Sequence, residues 1–599
     1  MSPRSEPERA TRHEVQHAPA QTRRRTSLIA RLGGLADSRV LCAGVLAVIC
    51  ALVALRAMQP IRSTDLGWHL ALGRSIVETG AVPTSEPFTH TARGVPMVAH
   101  EWLSQAIYHG VVELGGLLSL RALHAAIAVA MLLLLFALFR TERAPRAAAL
   151  LGVFLYAAIG QARFQVRPQM FDLACLMSLY GAVFVCAPAL RARHCVAIIA
   201  ATALWANLHS GVVLFAALVC IYVAVELAQQ WSGLRTPRQS DLGSGEPIRL
   251  IVLALGVVLA VFATPHHFRI VPYVLESGRI NRVMSMEWLP LLEFWRHPAK
   301  PPWALEAYLV VTLLFLWAVY SKLRRREGSL ANVAVVAFAT GLAFYSQRFV
   351  VLAFAPLLFG LPVLSMRAAG GLRPEQRRAL GVATIALVVG LTPSVLWPRG
   401  PLDGLARRFS EELSFRPSMF PQGALDFLSE ADLSGKLFTP SKWGGYVLYR
   451  THDQYPIFVD GRWVTLGQDL LADSQVIARR KPGAFRLLDD YAIDLVLVHR
   501  GWMTSGMRER NTWIPLFENL NAGVYLLRDS RNAEDLLRVA AYYRERDIPF
   551  DPAVGFDERA AYSANRAWAD RMGVSPWHLD QSRSYGDNAG SAGEWVRGW

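Results

Sequence analysis

The chain has 599 residues, 53% hydrophobic and 18% charged, with a formal net charge of +15. Between residues 40 and 397 it runs as a series of apolar stretches of roughly 16–22 residues, the length that crosses a bilayer, which excludes a water-soluble protein over that region. The excess positive charge falls in short loops between those stretches, so it reads as membrane topology and not as a nucleic-acid surface.

Residues 1–39 carry Arg4, Arg9, Arg12, Arg23, Arg24, Arg25, Arg31 and Arg39 among Pro, Gln, Thr and Ser. This composition predicts a disordered basic arm in the cytoplasm, and no cleaved signal peptide. Membrane helices are expected near 40–58, 118–139, 147–162, 169–187, 194–208, 211–229, 250–264, 304–320, 330–345, 349–365 and 379–397, about eleven in all. With the first end inside, loops 140–146, 188–193, 230–249, 321–329 and 366–378 face the cytoplasm, and every one is basic. The other face then receives a long first external loop at 59–116, the turns 162–168, 207–211 and 346–348, and the loop 265–303. The six cysteines, Cys42, Cys50, Cys175, Cys186, Cys195 and Cys220, lie in or beside apolar runs, so neither a disulfide framework nor a cysteine metal site is expected.

Residues 398–545 have the composition of a small external α/β domain. Helical patterns at 421–431, 468–478 and 483–491 alternate with apolar runs at 436–439, 456–460, 494–499 and 523–528. Residues 546–599 read as a flexible tail. The fold class expected is mainly α: a polytopic helical bundle over 40–397, followed by that domain.

The topology gathers the unusual polar groups on one face. They are Asp65, His69, His100, Glu101, Arg163, Arg167, Asn207, His209, His266, His267, Glu287 and Arg348. Ionisable groups at the edge of a membrane bundle are costly unless paired or used, so these are candidates by default. In the first loop, Ser63 or Thr64 suits the cap of a helix beginning near Asp65 and ending at Gly80. Asp65 and His69 are four apart and share a face. The stripe Leu66, Leu70, Gly73 and Val77 suits a helix lying along the membrane surface. A second helix from about 99 to 113 would bring Glu101 to the same boundary.

Arg163 and Arg167 flank a turn ending in Pro168, which fits the first position of the next helix. A helix N-terminus beside two arginines is a phosphate site, and the same geometry recurs at His209-Ser210-Gly211 and at Arg348. The histidines leave a divalent metal open, although adjacent His266 and His267 diverge and no HxH or HxxxH spacing occurs. His100, Asn207, His266, Glu287, Asp460 and Arg462 are assigned to the acceptor side or to support.

Several segments carry a resemblance: Asp65-Leu-Gly-Trp-His-Leu, Gly80-Ala-Val-Pro, Glu86-Pro-Phe-Thr-His, His100-Glu-Trp-Leu, Arg167-Pro-Gln, Trp205-Ala-Asn-Leu-His, Glu287-Trp, Gln347-Arg, Trp443-Gly-Gly-Tyr and Val459-Asp-Gly-Arg462. Together, over about 60–500, they resemble bacterial members of the GT-C superfamily, relatives of the protein mannosyltransferases and the lipid A aminoarabinose transferase. The resemblance implies a polyprenyl-phosphate sugar donor, an acidic residue of the first external loop as catalytic base, and inversion at the anomeric carbon. Asp65 matches that acid. The mannosyltransferases carry an Asp-Glu pair there, whereas residue 66 is Leu, which leaves Glu101 or His69 to assist.

The expected function is therefore transfer of a sugar to an external lipid, glycan or protein acceptor, in a bacterial inner membrane with the C-terminal domain in the periplasm. Membrane lipids are the other expected partners. A polymerase or ligase of lipid-linked glycans is the nearest alternative. A non-catalytic scaffold would tolerate loss of Asp65 and Glu101, and a transporter would place charges at mid-membrane.

Overall fold

The structure, a computed structural model, describes residues 38–186, 191–232, 247–296, 304–396, 415–416, 418–452, 454–500 and 512–575. The expected basic arm lies outside these residues, except that Ser38 and Arg39 begin the first helix. The chain is mostly helical. In order it forms α1 (Arg39–Ala57), α2 (Leu66–Thr79), α3 (Trp102–Thr141), α4 (Arg146–Gly160), α5 (Gln169–Tyr180), α6 (Ala192–Leu208) and α7 (Val212–Trp231). There follow α8 (Pro247–Val261), α9 (Ile270–Met284), α10 (Ala304–Arg324), α11 (Leu330–Tyr345), α12 (Phe354–Gly370) and α13 (Pro374–Leu396).

Each of the eleven apolar stretches is helical. Six helices are long and apolar enough to cross a membrane by length and composition: Arg39–Ala57, Trp102–Thr141, Val212–Trp231, Leu305–Arg324, Gln347–Gly370 and Pro374–Leu396. Gln169–Val185, Ala192–Leu208, Pro247–Val261 and Leu330–Tyr345 are apolar but shorter. One apolar core joins them, with Ile49, Val53, Leu132, Leu135, Val257 and Val335 fully enclosed.

The first loop is where expectation and structure differ most. The helix expected from 99 and the span expected from 118 are one bent helix, α3, broken where Gly115 has φ −167° and Gly116 has φ +71°. A backbone at φ +71° favours glycine, which is why the bend falls there. Helix α2 ends as expected at Gly80, with φ +65°. Protein, and not lipid, covers the expected stripe. Leu66, Gly67, Trp68, His69, Leu70, Ala71, Leu72, Gly73 and Ile76 are all buried, and of the expected stripe only Val77 is exposed.

The partners are α3 on one side and the C-terminal domain on the other. A Cβ on Gly73 would come within 2.1 Å of the Gln105 carbonyl oxygen, and one on Gly67 within 2.1 Å of that of Gly445. Glycine here permits backbone to pack on backbone.

The C-terminal domain has a four-stranded sheet of β1 (Leu437–Phe438), β2 (Leu495–His499), β3 (Trp513–Glu518) and β4 (Ala522–Leu527), in the order β1-β2-β4-β3. β1 and β2 are parallel, and the other pairs are antiparallel. The run at 456–460 is not a strand; Ile457 makes single bridges to Thr89 and Leu437. β3 is not among the expected strands, and Pro515 interrupts it. It is an edge strand with a register shift between Pro515 and Phe517, the place a sheet tolerates proline. Helix α14 (Gln422–Glu430) packs beneath the sheet, and α15 (Ser441–Thr451) carries Gly445 against α2.

The expected tail is in part folded. Phe550–Asp551 and Gly555–Phe556 pair as a hairpin, and two short helices, Glu558–Ala564 and Arg566–Met572, follow. Trp568 and Met572 are buried, with Phe517, Tyr543 and Phe556 around Trp568. Aromatic residues spaced too irregularly to show a period supply that packing. Residues 576–599 lie outside the described part.

Candidate active site

Asp65 stands at the N-cap position of α2 with helical backbone angles (φ −85°, ψ −24°), and its side chain caps nothing. Neither Ser63 nor Thr64 caps the helix. The Asp65 carboxylate is thus free to face outward, and its Oδ2 lies 3.4 Å from Nη2 of Arg167. The Ser63 hydroxyl instead accepts from Arg167 Nε at 3.1 Å. Burial pushes the Asp65 carboxyl above the usual carboxylate range, while Arg167 pulls it back down.

Arg167 also reaches Glu287, with Nη1 to Oε1 at 3.2 Å, and Arg163 Nη1 meets the other carboxylate oxygen at 2.7 Å. Arg163 donates in addition to Gln347 Oε1 at 3.1 Å. The next residue, Arg348, stacks over the Trp288 ring at 5.1 Å and makes no ion pair among the described residues. Burial would raise the Glu287 carboxyl, but Arg163, Arg167 and Arg348 outweigh it and hold it far below its ordinary range. The arginines expected to clamp phosphate therefore converge. Two of them are already engaged by a carboxylate, because the chain's own Glu287 enters between them.

Glu101 sits apart from this cradle, at the N-terminus of α3, buried among three imidazoles. His209 Nε2 is 3.2 Å from Oε1, His100 Nε2 3.4 Å from Oε1, and His69 Nδ1 3.5 Å from Oε2. Asp65 and His69, expected on one face, point to these two different groups. On its far side His209 Nδ1 lies 3.3 Å from Asp172 Oδ1, which also accepts from Trp205 Nε1 at 2.8 Å. The Gly211 amide lies 3.0 Å from the same Nδ1; with two carboxylates flanking the ring, charge favours the imidazolium.

Burial alone would lower the His209 pKa, but Asp172 and Glu101 raise it to about 9. Burial drives His69 the other way, down to about 3, despite Glu101. Glu101 stays well below the usual carboxylate range, its burial offset by the imidazoles.

Asp172 was missed in the sequence. The signal was available: an acid one turn into an apolar run. Among the described residues no group of three or more His, Cys, Asp and Glu side chains is set to hold a metal ion.

Other residues, assigned to the acceptor side or to support, hydrogen-bond to neighbouring backbone and side chains. His266 Nε2 accepts from the Ala99 amide at 3.0 Å and so fixes the chain just before Glu101. Asn207 Oδ1 accepts from Trp102 Nε1 at 2.8 Å, while its Nδ2 donates to the Ala203 and Ala263 carbonyls. His267 is exposed and stands apart. Asp460 and Arg462 form a fully buried corner with Glu86. Arg462 Nη2 donates to Asp460 Oδ2 at 2.6 Å and to Glu86 Oε1 at 3.1 Å, and Nη1 contacts Glu86 Oε2.

Between them, Gly461 passes so close to the site that a Cβ there would lie 2.7 Å from Asp65 Oδ1 and 3.1 Å from Trp68 Nε1. The C-terminal domain thus forms one wall of the site instead of merely being displayed beside it.

No family model matches the sequence, and no curated protein matches it. Solved structures do. The apo oligosaccharyltransferase of Archaeoglobus fulgidus is similar with a TM-score of 0.50 and 13% identity, over 79% of this chain and 70% of that one. The same enzyme tethered to an acceptor peptide with the NVT sequon matches with a TM-score of 0.50 and 12% identity, over 82% and 74%. ArnT from Cupriavidus metallidurans bound to undecaprenyl phosphate gives a TM-score of 0.45 and 15% identity, over 81% and 97%. The chain shares the polytopic fold of the Archaeoglobus fulgidus oligosaccharyltransferase.

Proposed function

We propose that the protein is a membrane glycosyltransferase that moves a sugar from a polyprenyl-phosphate donor to an acceptor hydroxyl on the external face, with inversion. The observation that carries this reading is the unbroken chain Asp65–Arg167–Glu287–Arg163 on the loop-bearing face of the bundle, with Arg348 beside it. A carboxylate with a raised proton affinity stands next to a cluster of arginines, which is what the reaction needs.

The donor's phosphate would rest against Arg348 and the outer edges of Arg163 and Arg167, reached sideways from the lipid. Asp65 takes the proton from the acceptor hydroxyl as its oxygen bonds to the anomeric carbon. The anomeric carbon–oxygen bond breaks, and its electron pair stays on the phosphate oxygen, where the arginines stabilise the added charge. Glu101, clasped by imidazoles, is a fixed anion behind Asp65 and raises its proton affinity.

The likeness in fold to an oligosaccharyltransferase favours one variation, in which an oligosaccharide is transferred instead of a single sugar. Comparing lipid-linked sugars and surface glycans of cells with and without the gene tests the proposal. Loss of one glycan substituent with accumulation of its lipid-phosphate donor supports it, and unchanged profiles in both pools overturn it.

A further inference from the structure

The proposed reaction uses Asp65 and the arginines but gives no task to Glu287. This carboxylate is not a loose side chain that happens to fall among cations. Its backbone is fastened from two sides: the Ser346 hydroxyl donates to the Glu287 carbonyl at 3.2 Å, and the Gln347 amide donates to the Leu289 carbonyl at 2.9 Å. The Ser285 hydroxyl accepts from the Glu287 amide at 3.3 Å. Both carboxylate oxygens are engaged, one by Arg163 at 2.7 Å and one by Arg167 at 3.2 Å, yet about a third of the side chain remains open to the surface. Glu287 therefore holds a fixed negative charge at the rim of the place an anion would occupy.

We propose that Glu287 is a specificity-determining residue, the counter-charge that matches the arginine cradle to a lipid monophosphate and against a lipid diphosphate. The inference rests on the donor reading above.

The contact layer holds Arg163, Arg167 and Arg348 against Glu287 and Asp65, a surplus of one positive charge. A sugar phosphodiester brings one negative charge and closes the balance. A diphosphate diester brings two and leaves one uncompensated at low dielectric, where an unmatched charge is costly. The balance also survives the chemistry. When the anomeric carbon–oxygen bond breaks, the phosphate gains one negative charge as Asp65 loses its own by taking the acceptor proton. Behind this layer the Glu101–His209–Asp172 group sets two carboxylates on one imidazolium, and its net negative charge adds to the penalty on the doubly charged lipid.

The test is binding of undecaprenyl phosphate and undecaprenyl diphosphate, which differ by the same one negative charge as the two diesters, to the full-length protein in nanodiscs, for the wild type, Glu287→Gln and Glu287→Asp. The wild type is expected to prefer the monophosphate. Glu287→Gln should shift the ratio of affinities toward the diphosphate by about tenfold, the effect of one unit charge at close range in a partly screened site. Glu287→Asp, which keeps the charge, should keep the preference. A ratio unchanged in Glu287→Gln while Glu287→Asp binds normally overturns the inference and leaves the donor reading standing. Wild-type protein that binds neither lipid overturns the donor reading itself.

Discussion

The Asp65 carboxylate lies 3.4 Å from the guanidinium of Arg167, and the same guanidinium reaches Glu287 at 3.2 Å. One side chain therefore joins the proposed base to the proposed phosphate cradle. Arginine suits this because its planar fork serves two carboxylates and a hydroxyl at once, which a lysine ammonium on a flexible stem does not.

Replacing Arg167 with Gln removes the cation that pulls the Asp65 proton affinity down. The acidic limb of the pH profile of kcat/KM, which reports the free base, is expected to move to higher pH. Affinity for the donor should weaken as well. A profile whose acidic limb stays in place would show that Asp65 and Arg167 are not coupled in the working enzyme.

The buried corner of Glu86, Asp460 and Arg462 ties the first loop to the C-terminal domain. Arg462→Met leaves two buried carboxylates without a cation and is expected to cost about 3–5 kcal/mol, the range for breaking a buried pair. The triple change Glu86→Gln, Asp460→Asn and Arg462→Met removes the charges together and should recover part of that loss. Unfolding of the purified protein in detergent measures both, and equal stabilities for the two variants would contradict the account.

Which of these features the sequence exposes depends on how local their cause is. Apolar length marked the eleven apolar helices but not Ile270–Met284, which lies in the stretch 265–303 read as a loop; the alternating charge of the loops brought Asp65, Glu101, Arg167, His209, Glu287 and Arg348 to one face in advance. Pairings across the chain had no local signal. Nothing near Arg163 announces Glu287, and nothing near Glu86 announces Arg462, 376 positions away. Asp460-Gly461-Arg462 was visible as a distinctive turn, but its place against Asp65 depends on α2 packing against α15 through Gly67 and Gly445. The stripe on α2 was read as a membrane face because a helix cannot reveal from its own sequence whether lipid or protein will cover it. The strand holding Pro515 is not among the expected runs, and it tolerates the proline because it lies at the sheet edge.

His209 stands between Glu101 and Asp172 with its pKa raised to about 9. The unfolded value is about 6.5, so the stabilisation from its charge is fully present below that pH and is lost as pH rises through about 9. The melting temperature of the wild type should fall more steeply between those limits than that of His209→Gln. Parallel curves for the two proteins would mean that the imidazole is neutral throughout.

The most direct measurement is sugar transfer by Asp65→Asn. The substitution preserves the shape of a side chain that caps nothing, and it removes the capacity to take a proton together with the charge that faces Arg167. With purified protein, a polyprenyl-phosphate sugar and its acceptor, kcat is expected to fall by about 10²–10⁴-fold, the range for a lost general base. The lipid phosphate should still bind, no more weakly than to the wild type, and the melting temperature should stay near wild type. Transfer at the wild-type rate by this variant would contradict the central claim.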